Sequence, residues 1–211
     1  MKNSLFPSHW TPSYVSARVR SEAVYICRPN LPWINLGAIS FLKQWLSSDD
    51  NVFEWGSGRS TIWFAQKVKC IHTVEHNSTY FERLCETVKD KHLANIIPIF
   101  QPLHTHLSQT SGHISNVKYE MSITDFPENH FDLVVIDGRR RRMCLESSIT
   151  HVKPGGIICL DNSERYIETQ RQGFHPIVSF AEPLKDALIN NFRSAHFSNG
   201  VWSTSLLFRV S

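Results

Sequence analysis

The chain has 211 residues, 41% of them apolar and 11% aromatic, enough for one domain with a substantial core. A formal charge of +3 is too mild to mark a nucleic-acid binder, and the five cysteines (Cys27, Cys70, Cys85, Cys144, Cys159) are scattered without the C-x-x-C pair of a zinc or disulfide framework. Met1–Trp10 lacks the apolar run of a signal peptide and no segment is apolar for long enough to span a membrane, so the expectation is a cytoplasmic protein.

The first thirty-five residues carry prolines and aromatics with little periodicity and read as an irregular arm that packs on the domain or covers a site. Ile39, Leu42 and Trp45 predict a helix over Leu36–Leu46, closed by the turn Ser47-Ser48-Asp49-Asp50. Alternation then begins: strand Val52–Trp55, helix Ser60–Lys69, strand Ile71–Glu75, and a helix capped by Asn77 or Ser78. Asn95–Phe100 is the next strand, and the polar, His- and Ser-rich stretch Pro102–Asn116 reads as a loop or lid. Phe131–Asp137 is apolar almost throughout, as suits a parallel strand covered on both faces. A helix follows over Arg140–His151, a turn at Lys153-Pro154-Gly155-Gly156, a strand Ile157–Leu160, a helix near Leu184–Asn191 and a closing strand Thr204–Val210. Such alternation predicts a doubly wound, mostly parallel α/β sheet, with ligands bound beyond the carboxyl ends of its strands. Glu54, Glu75, Asp137 and Asp161 all fall at such ends.

Glu54-Trp55-Gly56-Ser57-Gly58 joins a strand to a helix, and its glycines allow a ligand close to the backbone. Glu75, seventeen residues after Gly58, ends the next strand at the distance where an acid binds the hydroxyls of a ribose. A nucleoside-containing cofactor follows. For NAD the turn would receive a pyrophosphate, which Glu54 opposes, and Thr61 stands where a third glycine belongs. S-adenosylmethionine carries an ammonium and a sulfonium instead, and a carboxylate at the turn favours both.

Glu54-x-Gly56-x-Gly58-x-Ser60-Thr61, Glu75 and Phe131–Asp137 together resemble class I S-adenosylmethionine-dependent methyltransferases, a Rossmann-like fold, over Val52 to Asn162 and a carboxy-terminal strand pair. The resemblance implies one domain in all, with residues 51–211 binding S-adenosylmethionine and 1–50 forming an arm and helix packed on it. It makes Glu54, Gly56, Ser57, Gly58, Ser60, Thr61, Glu75, His76 and Asp137 the cofactor-binding candidates. Within the class, Asp137 and Asp161-Asn162 match points where the catechol O-methyltransferase-like, small-molecule branch binds a metal. That likeness implies Mg²⁺ or another divalent cation at Asp137, Asp161 and Asn162, an all-oxygen set suited to a hard ion. The branch's lysine base is replaced by Arg140, which stays protonated and is a poor proton acceptor.

Bland readings stand beside these: Asp137 and Asp161-Asn162 are also residues that cap helices. Arg139-Arg140-Arg141-Arg142 opposes the dipole of the helix it begins, so some members should pair with acids or face an anionic acceptor. A uronic acid, a phosphorylated sugar or a carboxylated metabolite would fit. The catalytic candidates are Asp137, Arg140 and two histidines of the presumed lid, His104 and His106, since a histidine can deprotonate a hydroxyl near neutral pH. Amino-methylating enzymes of nucleic acids usually carry an Asn/Asp-Pro-Pro-aromatic motif after the fourth strand; Asp137-Gly138-Arg139-Arg140 stands here instead. The expectation is an O-methyltransferase of a small hydroxylated acceptor, a sugar or glycan unit included. Aminopropyl or N-methyl transfer on the same fold, or a catalytically inactive cofactor-binding module, are the alternatives.

Overall fold

The computed structural model describes residues 11–103, 118–170, 173–176 and 182–210. Helices α1 (Pro12–Cys27) and α2 (Leu36–Trp45) lead into β1 (Asn51–Trp55), α3 (Arg59–Ala65), β2 (Cys70–Glu75), α4 (Ser78–Asp90) and β3 (Ile96–Phe100). After a 3₁₀ turn at Ser122–Asp125 come β4 (Phe131–Ile136), α5 (Arg141–Ser148) and β5 (Val152–Asp161). The chain ends with the strands β6 (Ile167–Gln170) and β7 (Gly173–Pro176), α6 (Glu182–Asn191), β8 (Phe192–Ser198) and β9 (Ser203–Arg209).

Seven strands form one sheet in the order β3-β2-β1-β4-β5-β9-β8, and β6 and β7 pair separately. The first five run parallel, whereas β9 is antiparallel to β5 and β8 to β9. The order reverses between β2 and β4 on either side of β1, which sets a switch point at the carboxyl end of β1. Strand side chains alternate between two cores, as the two-residue period requires. Val52, Ile71, Leu133, Val135, Ile157 and Cys159 face α1 to α4 together with Leu42, Trp63 and Phe64. Phe53, Trp55, Val134, Ile136, Ile158 and Leu160 face Cys144 and Leu145 of α5 and Leu188 of α6.

The amino-terminal segment corrects the expectation of an irregular arm, since Pro12–Cys27 is helical. Thr11 caps it, its hydroxyl accepting from Tyr14 N at 3.2 Å, and Pro12 sits in the first turn, where no N–H is needed. Only Ser21 and Tyr25 of this helix are buried, so its apolar periodicity is faint. Tyr25 anchors it by stacking on Trp33 at 4.8 Å between ring centres, with Trp202 behind. Two boundaries also move. The helix expected over Ser60–Lys69 ends at Ala65. The turn expected at Lys153–Gly156 lies inside β5, where the pairing with β4 slips between Phe131 and Leu133 and Gly155 takes φ +81°. The stretch holding His104, His106 and His113 lies outside the described residues.

Candidate active site

At the switch point the turn after β1 and the loop after β4 meet backbone to backbone. Gly56 N donates to Val74 O at 2.9 Å, and Asp137 N donates to Trp55 O at 3.0 Å. Gly56 has φ +96°, and a Cβ there would stand 2.7 Å from Gly138 N. Gly138 is equally confined, because its Cβ would lie 2.1 Å from the Tyr119 hydroxyl. Trp55 fixes that tyrosine, its Nε1 donating to Tyr119 O at 2.8 Å, and the Tyr119 hydroxyl accepts from Arg139 N at 3.3 Å. These contacts give the cleft a floor of bare main chain.

The cleft holds about 310 Å³ and is lined by Gly56, Ser57, Glu75, His76, Tyr80, Asp137, Gly138, Arg139 and Arg141. Glu75 is buried except for a sliver, and its Oε1 accepts from His76 N and Asn77 N, both at 2.8 Å. Among the described residues its Oε2 receives only a 3.3 Å contact from Ser57 Oγ, which leaves acceptor capacity facing the cleft. His76 Nδ1 lies 2.9 Å from Glu75 Oε1.

Glu54 is set differently: it is fully buried and absent from the cleft lining. Ser60 Oγ and Thr61 Oγ1 donate to its carboxylate at 2.5 Å each and Thr73 Oγ1 at 2.7 Å. Thr61 Oγ1 in turn accepts from Gly58 N at 2.9 Å. Glu54 therefore clamps the glycine turn to the start of α3 and to β2 from beneath. Burial pushes its carboxyl up to about 7, against the opposing pull of the three hydroxyls and with a further rise from Glu75. Gly58 lines a smaller recess of about 150 Å³ next to the cleft, with Ser57 and Tyr80.

Asp137 stands at the cleft floor, its side chain 25% exposed. Its carboxyl is held well above the usual range, by burial first and then by the charge of Asp161, with Arg141 pulling the other way. Asp161 is more deeply buried, accepts from Thr204 Oγ1 at 2.7 Å, and is also raised, by burial first.

A family model for a methyltransferase domain matches residues 53–163, which contain the turn, Glu75, Asp137 and Asp161. The chain belongs to that family. As a class I S-adenosylmethionine-dependent methyltransferase it needs a cleft that takes a cationic donor, and bare glycine backbone with the Glu75 carboxylate in its lining fits one. Solved structures share the fold at low identity. A Geobacter sulfurreducens methyltransferase is 13% identical with a TM-score of 0.57, over 98% of this chain and 93% of that one. Streptococcus mutans SMU.1697c, in complex with SAH, is 10% identical with a TM-score of 0.53, over 82% and 95%. A Streptococcus thermophilus rRNA methylase is 10% identical with a TM-score of 0.51, over 82% and 93%. No curated protein matches the chain.

In this methyltransferase the arginine run divides its labour. Arg140 lies outside the cleft lining and pairs with the buried Glu120 at 2.6 Å, so it stands away from the position expected of a catalytic group. Arg142 pairs with Glu146 at 3.0 Å. Arg139, exposed at the cleft, has no ionic partner among the described residues. Arg141 reaches back to both Asp137 and Asp161, at 2.8 and 3.4 Å. The expected divalent-metal set of Asp137, Asp161 and Asn162 therefore does not fit, since the Arg141 guanidinium already donates to both carboxylates. Among the described residues no three His, Cys, Asp or Glu side chains are grouped to hold a metal ion. Sequence reasoning missed Tyr80, Arg139 and Arg141 as individuals. No spacing signalled the Arg141 pair, because Asp137 lies before the helix that starts at Arg141 and a left-handed Arg140 stands between them.

Proposed function

We propose that this methyltransferase O-methylates a small hydroxylated acceptor bearing a negative charge, such as a sugar or glycan unit with a carboxylate or phosphate. One observation carries the reading: Arg139 offers a guanidinium without an ionic partner among the described residues at the mouth of a cleft whose floor holds Asp137. A planar fork of donors suits a carboxylate or phosphate. When bound, the donor supplies an electrophilic methyl group on a sulfonium. Glu75 would hold the ribose hydroxyls, and the main chain of Gly56, Ser57 and Gly58 would surround the methionine end. Glu54 would act through the turn that it clamps.

The remaining chemistry belongs to positioning and one proton. Arg139 would fix the acceptor's anion so that its hydroxyl meets Asp137, and fixing two reactants together accounts for much of the acceleration in such transfers. A carboxyl raised above its usual range is a better proton acceptor than an ordinary aspartate. Asp137 would take the hydroxyl proton as the oxygen takes the methyl group. A methyl-transfer assay should compare uronic acids, sugar phosphates and hydroxy acids with their uncharged analogues and with RNA. Anionic acceptors should turn over, and Arg139→Gln should raise their KM at least tenfold while donor affinity holds. Turnover of RNA alone would overturn the reading.

A further inference from the structure

The carboxylates at the ends of β4 and β5 are joined by one side chain. Arg141 Nε donates to Gly138 O at 3.0 Å, and Nη2 donates to Asp137 O and Oδ1, both at 2.8 Å. Nη1 donates to Asp161 O and, at 3.4 Å, to Asp161 Oδ2. All five N–H groups of the guanidinium are thereby directed to oxygens of the two strand ends. The side chain is only 14% exposed.

We infer that Arg141 is a built-in cation in the place where the resembling branch binds its metal, and that this methyltransferase keeps no divalent ion between Asp137 and Asp161. The inference rests on family membership and the geometry of this side chain, and it holds whichever acceptor is used. Mg²⁺ demands close, near-octahedral oxygen ligands, and here the carboxylates are already engaged, Asp137 by Arg141 Nη2 and Asp161 by Arg141 Nη1 and Thr204 Oγ1. The guanidinium never gives up its charge, so it offsets one of the two carboxylates permanently and weakens their pull on a divalent ion. Displacing it would strip donors from three main-chain carbonyls as well as from both acids.

The local fold explains why this arginine serves and its neighbour does not. Arg140 takes a left-handed conformation, φ 49° and ψ 38°, before α5 begins. That kink aims Arg140 at Glu120 and starts the helix at Arg141, four residues after Asp137. A cation in the first turn opposes the helix dipole, and the two acids offset that penalty. Arg141 is thus a positioning residue, which holds Asp137 against the cleft floor.

Electron paramagnetic resonance of Mn²⁺ tests this without any acceptor. Wild-type protein should leave the free Mn²⁺ signal undiminished, while Arg141→Ala should deplete it in proportion to protein. Depletion should vanish in the double variant Arg141→Ala with Asp161→Asn. Depletion by the wild type that Asp161→Asn abolishes would overturn the inference. So would a folded Arg141→Ala, judged by circular dichroism and S-adenosylmethionine binding, that leaves Mn²⁺ free. Should Arg141→Ala fail to fold, the wild-type titration and Arg141→Lys decide. Lysine keeps the charge without the fork, and it should leave Mn²⁺ free as the wild type does.

Discussion

Replacing Glu54 with glutamine should change how stability depends on pH more than it changes stability at any one pH. The Glu54 carboxyl is fully buried and is pushed up to about 7 from an ordinary 4.5, by burial first, despite three hydroxyl donors. At ~1.4 kcal/mol per pH unit, that displacement corresponds to about 3 kcal/mol. Between 4.5 and about 7 the folded chain keeps this proton while the unfolded chain has released it. The contribution is therefore fully present below 4.5 and is lost as pH rises through about 7, above which it stays constant. Glutamine has no such proton. Urea unfolding of wild type and Glu54→Gln, followed by tryptophan fluorescence across this window, reads the effect, because titrating groups remote from Glu54 cancel in the difference and the nearby Glu75 and Asp137 add only smaller terms. The wild type should lose about 3 kcal/mol relative to the variant between the two limits, with most of the change between them. A difference that stays flat with pH would mean that the hydroxyls hold the carboxylate at an ordinary value, and the reasoning would fail.

Glu75→Ala should weaken S-adenosylmethionine by roughly 2 kcal/mol, about thirtyfold in Kd, as expected for losing hydrogen bonds to a charged acceptor. Titration calorimetry checks it, and unchanged affinity would contradict the ribose role. Asp137→Asn should lower kcat by roughly 10²-fold or more, the usual worth of a positioned base, with donor affinity nearly unchanged. Equal turnover in single-turnover assays would remove Asp137 as proton acceptor. Gly138→Ala should destabilise the fold by about 1–3 kcal/mol, because the new methyl overlaps the Tyr119 hydroxyl. Adding Tyr119→Phe should restore part of the loss in thermal unfolding, and no restoration would place the strain elsewhere.

The parallel half of the fold was legible because its strands are covered on both faces. Phe131–Ile136 is buried at five of six positions, so its near-continuous apolar run reported its place in the middle of the sheet. The short turns and acids at strand ends were equally visible. The carboxy-terminal edge was harder. The closing strand itself was legible, expected over Thr204–Val210 and found at Ser203–Arg209, although its buried Ser203, Thr204 and Ser205 bond to Glu164, Asp161, Ser163 and His196. β8, whose exposed and half-buried residues follow Phe192, carried too little pattern to be read as a strand. The helix Pro12–Cys27 escaped because a chain with two buried positions in sixteen has almost no apolar stripe to report.

The site shows a different boundary between what spacing reveals and what it conceals. Spacing brought Gly56, Ser57, Glu75, His76 and Asp137 to one cleft, because each follows directly from a strand whose direction the sheet dictates. Spacing did not reveal that Glu54 turns beneath the turn, since a carboxylate beside Ser60, Thr61 and Thr73 has nearer partners than any ligand. Nor did it separate four adjacent arginines, which in composition are one block of charge. A single left-handed residue at Arg140 separates them, sending one guanidinium to Glu120 and the next to both Asp137 and Asp161. A left-handed residue without glycine leaves little trace in sequence, because arginine adopts it only where contacts hold it there. The consequence is chemical: a two-acid pattern that read as a metal site is a three-member ion pair, and the cation is part of the chain.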